Sequence, residues 1–314
     1  MDKATSFGLP FFYRVVLPGF GFVLVLLPVL VRVLATFSVR NESAAAALAF
    51  VGLAAGLTVA AIDEPIYQFF EGRTLWPNWL YTRRVARWSG FVSRLSDKQT
   101  EMANAKQTTD WRYLELGNKL RRFPAKTTGE PYASRPTLLG NILAAYESYP
   151  ETVYGLHAVA FWQRAWLLLD KDTRDEIDRG WAPTDALVYV AAVLWICAAA
   201  YVLLALIATL TRLVNVDLLF TPDEAWLALY AAYLLVIAAF IPYRLSISGH
   251  VTNGETLKAV FDLKRAQLEA IQAPASEAQK QANARMSQLL VYGRSAAPES
   301  SEPASAPPGT GEVQ

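Results

Sequence analysis

Four long apolar runs constrain this chain more than any other feature of its sequence. They span residues 11–37, 44–62, 186–210 and 225–247. A helix needs about 20 mostly apolar residues to cross the hydrocarbon core of a bilayer, and each run supplies about that many. The 314 residues are 53% hydrophobic and 18% charged, too apolar for an average soluble protein and too charged for one wholly in the membrane. The sequence therefore predicts an all-α integral membrane protein with four transmembrane helices in two hairpins.

A polar helical insert separates the two hairpins, and more polar sequence follows the second one. The insert is rich in Trp, Tyr and Arg. In the sequence after the second hairpin, an amphipathic helix is predicted over residues 255–272. Within the insert, residues 170–178 are predicted as the exposed face of a short helix that ends at Gly180. The predicted divisions are an N-terminal segment 1–10, hairpin 1 at 11–70, the insert at 71–185, hairpin 2 at 186–249, C-terminal amphipathic helices at 250–294 and a disordered tail at 295–314.

Basic residues near the membrane ends predict the orientation of the chain. The two short loops between paired spans carry only Arg40 and Arg212. The other side, which holds the insert and both termini, carries Arg73, Arg83, Arg84, Arg87, Arg244 and Lys258. The positive-inside rule therefore places the insert and both termini in the cytoplasm. A periplasmic or extracellular insert is the alternative.

The start of the insert combines arginines with tryptophans and predicts a helix lying on the membrane surface. Val85, Trp88, Val92 and Leu95 recur at three- and four-residue spacing, which gives one apolar helical face. Trp and Arg favour the headgroup region and anionic lipid. The predicted headgroup residues are Trp76, Trp79, Arg83, Arg84, Arg87, Trp88 and Arg94. Nucleic-acid binding is the competing interpretation, and it is disfavoured because the membrane already accounts for the pattern.

Three charged residues form a candidate intramembrane polar site. Arg32 lies in the last turn of the first span, where snorkelling to the interface is favoured over a buried charge facing a pore or a partner. Asp63 and Glu64 precede Pro65 at the end of the second run. A helix terminus at the interface is the favoured interpretation, and a proton or cation site inside the bilayer is the sharper alternative.

The sequence offers no positive support for an enzyme. It contains no Gly-rich phosphate loop, nucleophile elbow or dinucleotide fingerprint. Cys197 is the single cysteine, and the two histidines, His157 and His250, are far apart in sequence. No catalytic residue, cofactor or metal is therefore predicted.

The densest local pattern in the insert is Arg135-Pro136-Thr137-Leu138-Leu139-Gly140-Asn141. Thr137 is predicted to cap the following helix, and Gly140 to leave packing room. The functional alternative is that Gly140 and Asn141 allow close backbone approach or donate hydrogen bonds to a ligand. For His157, a role in packing is favoured over a role as a pH sensor or ligand. The candidate insert motif comprises Pro136, Thr137, Gly140, Asn141, His157, Trp162 and Arg164.

Several short motifs resemble those of a group of bacterial multi-span membrane proteins to which no activity is assigned. The residues that carry the resemblance are Phe11-Phe12-Tyr13-Arg14, Leu17-Pro18-Gly19, residues 136–141, Glu147, Tyr154-Gly155, Trp162 and Arg164. The resemblance runs from the first span to the third. It implies a multi-pass protein of the bacterial inner (plasma) membrane and no particular activity.

These features together predict an integral membrane scaffold or sensor that presents a cytoplasmic helical domain to a partner. The partners predicted are a bilayer with anionic headgroups and either further copies of the chain or a cytoplasmic protein. A small ion channel or transporter, with Arg32, Asp63 and Glu64 along its path, is the alternative. A membrane-bound lipid-modifying enzyme is the third hypothesis.

Overall fold

The computed structural model describes residues 8–37, 41–125, 132–213 and 222–272. Every regular element in these ranges is a helix, as the sequence predicts. The elements are α1 (Leu9–Phe11), a π-helical turn (Phe12–Val16), α2 (Leu17–Thr36), α3 (Asn41–Ala61), α4 (Asp63–Glu71), α5 (Asn78–Asn104), α6 (Trp111–Leu120), α7 (Leu138–Tyr154), α8 (Ala158–Leu167), α9 (Lys171–Leu213) and α10 (Pro222–Gln272). The predicted second C-terminal helix and the predicted disordered tail lie outside the described residues.

Four of the described helical stretches are long and apolar enough to cross a membrane. They are Leu9–Thr36, Ser43–Ala61, Lys171–Leu210 and Glu224–Leu268. The predicted number of helices long and apolar enough to span a membrane is therefore confirmed, and the pattern suggests a multi-span membrane protein. In this bundle α2 packs against α3 and α9, and α9 packs along α10.

Small residues bring the first two apolar helices into close contact. A side chain at Gly19 would overlap the carbonyl of Gly52, and one at Gly56 would overlap the carbonyl of Val15. Gly21, the other glycine of the first run, faces open space. The backbones of the two helices thus meet at glycine contacts, the arrangement favoured where apolar burial alone does not drive association.

The structure corrects two predicted helix boundaries. Helix α9 begins at Lys171 and continues through Gly180, so the short helix predicted to end there is the first part of the third span. Helix α10 continues through Gly249 and Gly254, which joins the fourth span to the predicted amphipathic helix. The glycines of α10 persist in a helix because Thr184 and the ring of Tyr146 occupy the space beside them, so close packing offsets the helix-weakening effect of glycine.

The insert does not pack as an isolated unit, because two of its helices lie against α10. Helices α7 and α8 both contact α10. Leu156 and Phe161 share a core with Phe261 and Leu268, all almost fully buried. A separate cluster joins α5 to the end of α6 through Val92, Leu120 and Phe123. We call helices α5 to α8 the polar body. It is therefore assembled on the continuation of the fourth apolar helix.

Candidate functional site

A cluster of charged and aromatic side chains lies at the insert-proximal end of the apolar bundle. Arg14 Nε donates a hydrogen bond to Asp185 Oδ2 at 2.9 Å, and Arg14 Nη1 donates to Asp178 Oδ1 at 2.6 Å. The phenol of Tyr67 donates to the other oxygen of Asp185, Oδ1, at 2.6 Å. These residues come from the π-helical turn, α9 and α4, and we call them, with His250, the near-end cluster.

Local helix geometry explains how the near-end cluster forms. Asp178 and Asp185 are seven residues apart on α9, which is two turns and places them on one face. Arg14 lies in the π-helical turn Phe12–Val16, a rare helical form that is frequent at functional sites. Its planar guanidinium presents several donors at once, so one arginine can bridge two carboxylates.

His250 completes the cluster and is its least satisfied member. The side chain is 4% exposed, and its Nε2 is buried without a hydrogen-bond partner among the described residues. The ring of Tyr67 meets it edge-on, with the centroids 5.8 Å apart. A buried imidazole nitrogen with no partner is uncommon in folded proteins.

The sequence did not identify the near-end cluster as a site. Arg14 entered only as part of a motif, and Asp185 only as the last residue of the predicted insert. The available signal was the spacing of Asp178 and Asp185 at the start of an apolar run. The partners Tyr67 and His250 come from distant parts of the chain, and no local pattern relates them.

The three predicted intramembrane residues do not form one site. Arg32 is paired with Glu224 near the other end of the bundle. Asp63 and Glu64 lie exposed in the first turn of α4, where Asp63 Oδ1 accepts from the Glu64 amide and Glu64 Oε1 accepts from Gln68 Nε2. Helix α3 separates the two ends by roughly 30 Å at 1.5 Å per residue. The roles assigned to these residues stay predictions.

The insert motif folds around the side chain of Asn141, which is fully buried. Its Oδ1 accepts from the amides of Ser134 and Arg135 at 2.9 and 3.1 Å. Its Nδ2 donates to the carbonyls of Arg135 and Thr137 at 2.8 and 2.7 Å. Asn141 thus uses both ends of its amide to fix the backbone that precedes α7.

Thr137 and Gly140 complete this local structure. Thr137 is the N-cap of α7, as predicted, and its Oγ1 accepts from the Gly140 amide at 2.9 Å. A side chain at Gly140 would overlap the carbonyl of Glu71. Gly72, at the end of α4 with φ of 85°, is in turn packed against the ring of Pro136. The motif therefore holds the start of α7 against the end of α4.

Ionic contacts connect the same two elements. Arg73 forms an ion pair with Glu71, and its Nη2 donates to Glu147 Oε2 at 3.0 Å. Burial of the Glu71 carboxyl raises its pKa above the usual range, although the nearby Arg73 acts in the opposite direction. The end of α4 is thus joined to α7 by charge as well as by packing.

The remaining motif residues lie on α8 and its N-terminus, in a different core. Trp162 stacks on Trp181 with the rings 5.6 Å apart, and the guanidinium of Arg164 lies 5.0 Å from the ring of Phe161. His157 precedes α8, and its Nδ1 is buried without a partner among the described residues. These three residues do not share a hydrogen bond with the turn at Pro136–Asn141.

Helix α5 divides its basic residues between two faces. Trp79, Arg83, Arg87 and Arg94 share an exposed stripe. Arg84 lies on the opposite, protein-facing side with Trp88 and Val92. Its Nε donates to the Pro136 carbonyl at 3.4 Å, and Trp88 Nε1 donates to the same oxygen at 3.1 Å. The predicted role at lipid headgroups stays a prediction for the stripe, whereas much of the predicted apolar face is covered by protein.

A cavity of about 350 Å³ adjoins Arg84. Side chains of α4, α5, α9 and α10 line it together with the loop before α7. The lining residues are Phe69, Phe70, Trp76, Arg84, Thr137, Trp195, Val236, Ala239, Phe240 and Tyr243. The volume falls in the range of about 300–1,000 Å³ typical of small-molecule sites.

Comparison with known proteins adds no family to these observations. The chain matches no protein-family model, no curated protein and no solved structure. Its functional interpretation therefore rests on its own geometry.

Proposed function

We propose that this protein is an integral membrane scaffold or sensor, arranged as two membrane hairpins, that presents the helical body to a partner and works as an oligomer. One observation carries the proposal: α9 and α10 continue without a break from the apolar bundle into the polar body. A rigid helix that belongs to both regions makes the position of the body dependent on the packing of the bundle.

Polar contacts support this dependence by fixing the body to α10. The phenol of Tyr146 donates to the Val251 carbonyl at 3.1 Å. The phenols of Tyr149 and Tyr154 both donate to Asp262 Oδ1, at 2.9 and 2.7 Å. Lys258 Nζ lies 5.2 Å from the ring centroid of Tyr146, within cation–π distance. The end of α7 thus follows any displacement of α10.

Exposed apolar side chains on the body support the proposal that it has a partner. Trp111 and Leu114 are 65% and 57% exposed on α6, and Leu167 on α8 is 64% exposed. Large apolar side chains outside the candidate spans expose surface that association would bury. Further copies of the chain and a cytoplasmic protein are the partners proposed.

Photo-crosslinking of the full chain in its native membrane tests the scaffold. A photoreactive amino acid at Leu114 or Leu167 is expected to give a discrete adduct, either with the chain itself or with one protein. The same amino acid at the exposed Lys98 of α5 is the matched control and should give none. A monomer in mild detergent, with no adduct from either position, would contradict the proposal.

A cytoplasmic location of the body, in a bacterial inner membrane, is part of the same proposal. The distribution of basic residues supports it. A variant with Cys197→Ala and Asn118→Cys has one cysteine, exposed on α6. It should resist a membrane-impermeant maleimide in intact spheroplasts and react after lysis. Reaction in intact spheroplasts would place the body outside.

A proton-coupled channel or transporter is a second candidate, favoured by one observation. Within the apolar bundle, the near-end cluster gathers Arg14, Asp185 and Tyr67 beside the buried His250. Ionisable residues inside a membrane protein often mark a path for ions or protons. Proton flux into liposomes that is lost in Asp185→Asn but kept in Asp63→Asn would support this candidate. Absence of flux in the unmodified protein would exclude it.

A further inference from the structure

The cavity beside α5 has one cationic end and apolar walls. Arg84 and Thr137 are both lining residues, and Arg84 Nε donates to the carbonyl of Pro136, the residue before Thr137. No acidic side chain lines the cavity. Among the described residues no carboxylate forms an ion pair with Arg84, unlike Arg14 and Arg73, which each have two.

Other lining residues of the cavity belong to the apolar bundle. Trp195 of α9 and Phe240 of α10 line it, and they are 43% and 58% exposed on the outer surface of their helices. Both residues lie well inside candidate membrane spans. Residues that face outward at that level contact lipid chains, so the apolar end of the cavity opens toward the bilayer.

Arg84 is separated from the other arginines of its helix by this geometry. Arg83 and Arg87 are exposed, whereas Arg84 is half-buried and turned toward the protein. A second cation lies nearby, because the guanidinium of Arg244 is 5.7 Å from the ring of Phe240. Arg84 Nε donates to the Pro136 carbonyl, and the other guanidinium donors of this half-buried cation have an anion or water as their natural counterpart.

We propose that this cavity binds one anionic phospholipid of the surrounding bilayer. The phosphate pairs with the Arg84 guanidinium and accepts a hydrogen bond from the Thr137 hydroxyl. An acyl chain lies against Trp195 and Phe240. The proposal does not depend on the scaffold function, because it needs only the membrane location and the cavity.

Two features favour a lipid over a small soluble anion. The walls that lead away from Arg84 are aromatic and aliphatic, so a free phosphate would leave them hydrated. An acyl chain buries that surface and connects it to the headgroup in one molecule. The polar end lies beside α5, where Trp and Arg favour the headgroup level of a bilayer.

Native mass spectrometry of the delipidated full chain tests the proposal. The probes are phosphatidylglycerol, phosphatidylcholine and inorganic phosphate. One molecule of phosphatidylglycerol should bind at least about fivefold tighter than phosphatidylcholine, the contribution of roughly one basic residue near anionic lipid. In Arg84→Gln this preference should disappear, and in Arg84→Lys it should be partly kept.

Lys98→Gln is the matched control, since it removes an equal charge from an exposed position of the same helix. Its binding of phosphatidylglycerol should change less than twofold. An equal loss in Arg84→Gln and Lys98→Gln would reduce the effect to diffuse surface charge and overturn the proposal. Displacement of the lipid by millimolar inorganic phosphate would also overturn it, by identifying a site for the anion alone. The thermal unfolding midpoint of each variant verifies that it is folded.

Discussion

Two arginines in the first apolar run lie in opposite environments at the two ends of the bundle. Arg14 is bound by Asp178 and Asp185, and its side chain and that of Asp185 are 28% and 16% exposed. Arg32 pairs with Glu224, and its side chain is 46% exposed. The near end therefore encloses its charges between helices, whereas the far end leaves them at the surface.

This difference teaches that position in a span does not by itself set the role of a charge. Arg32 breaks the apolar run more visibly, and the sequence favours it as the charge to consider. Arg14 gains two carboxylates because α9 extends beyond the bundle and brings Asp178 alongside. The length of a neighbouring helix determined the environment of Arg14.

The largest expected effect is at Asp185. Asp185→Ala leaves Tyr67 without its acceptor and Arg14 with one carboxylate in place of two, inside a buried cluster. Breaking a buried ion pair from one side costs about 3–5 kcal/mol. We expect a loss of that order in the free energy of unfolding of the solubilised protein, measured by denaturant titration.

The double variant Arg14→Leu with Asp185→Leu is the control for this prediction. The double variant removes both charges of the Arg14–Asp185 pair, so neither is left buried without the other. The loss in the free energy of unfolding should therefore be smaller than in the single variant. A double variant less stable than Asp185→Ala would mean that the pair itself supplies most of the stability at the near end.

The next effect concerns packing at the near end. Gly254→Ala places a methyl group in the ring of Tyr146, and overpacking of this kind costs about 1–3 kcal/mol. Gly180→Ala is the matched control, because open space surrounds Gly180 on α9. It should stabilise the protein by roughly 0.5–1 kcal/mol, the usual gain from replacing a helical glycine. Equal changes in the two variants would show that α10 is not in close contact with α7.

At the far end, removal of the Arg32–Glu224 ion pair should have little effect on stability. Arg32→Gln and Glu224→Gln are each expected to shift the thermal unfolding midpoint by less than about 2 °C, because exposed ion pairs contribute little. A shift comparable to that of Asp185→Ala would remove the contrast between the two ends.

The smallest expected effect is a pH dependence at Glu71. Burial raises the pKa of this carboxyl in the folded protein above its value of 4.5 in the unfolded chain. Its contribution to stability is complete below that value and is lost as the pH rises through the folded pKa. The unmodified protein should therefore lose stability above pH 4.5 relative to Glu71→Gln.

Glu147→Gln is the control for the pH series, because Glu147 pairs with the same Arg73 from a more exposed position. It should keep the pH dependence that Glu71→Gln removes. If stability varied with pH in the same way in the unmodified protein and in Glu71→Gln, Glu71 would not be the source of the pH dependence. Thermal unfolding between pH 4 and 7 is the measurement.

The sequence was sufficient for features set by composition and local spacing. Four spans follow from apolar length, and the N-cap at Thr137 follows from the residue types at the start of a periodic helix.

Features set by distant partners could not be read from the sequence. Gly180 and Gly254 look alike as helix breakers, but the ring of Tyr146 packs beside Gly254 whereas open space surrounds Gly180. Arg83 and Arg84 are adjacent in one basic segment, and their separation depends on which face of α5 meets Pro136. The near-end cluster required Tyr67 and His250, more than 180 residues apart in the chain.

The length of α10 has a mechanical consequence. Its 51 residues extend about 76 Å at 1.5 Å per residue, and a bilayer core takes up only about 30 Å of that. About 45 Å of the helix is in excess of that thickness, and α10 also carries α7 and α8. A tilt of about 5° in the membrane would move its tip by roughly 4 Å, close to the 5.4 Å pitch of a helix. The protein thus has the proportions of a lever with its short arm in lipid.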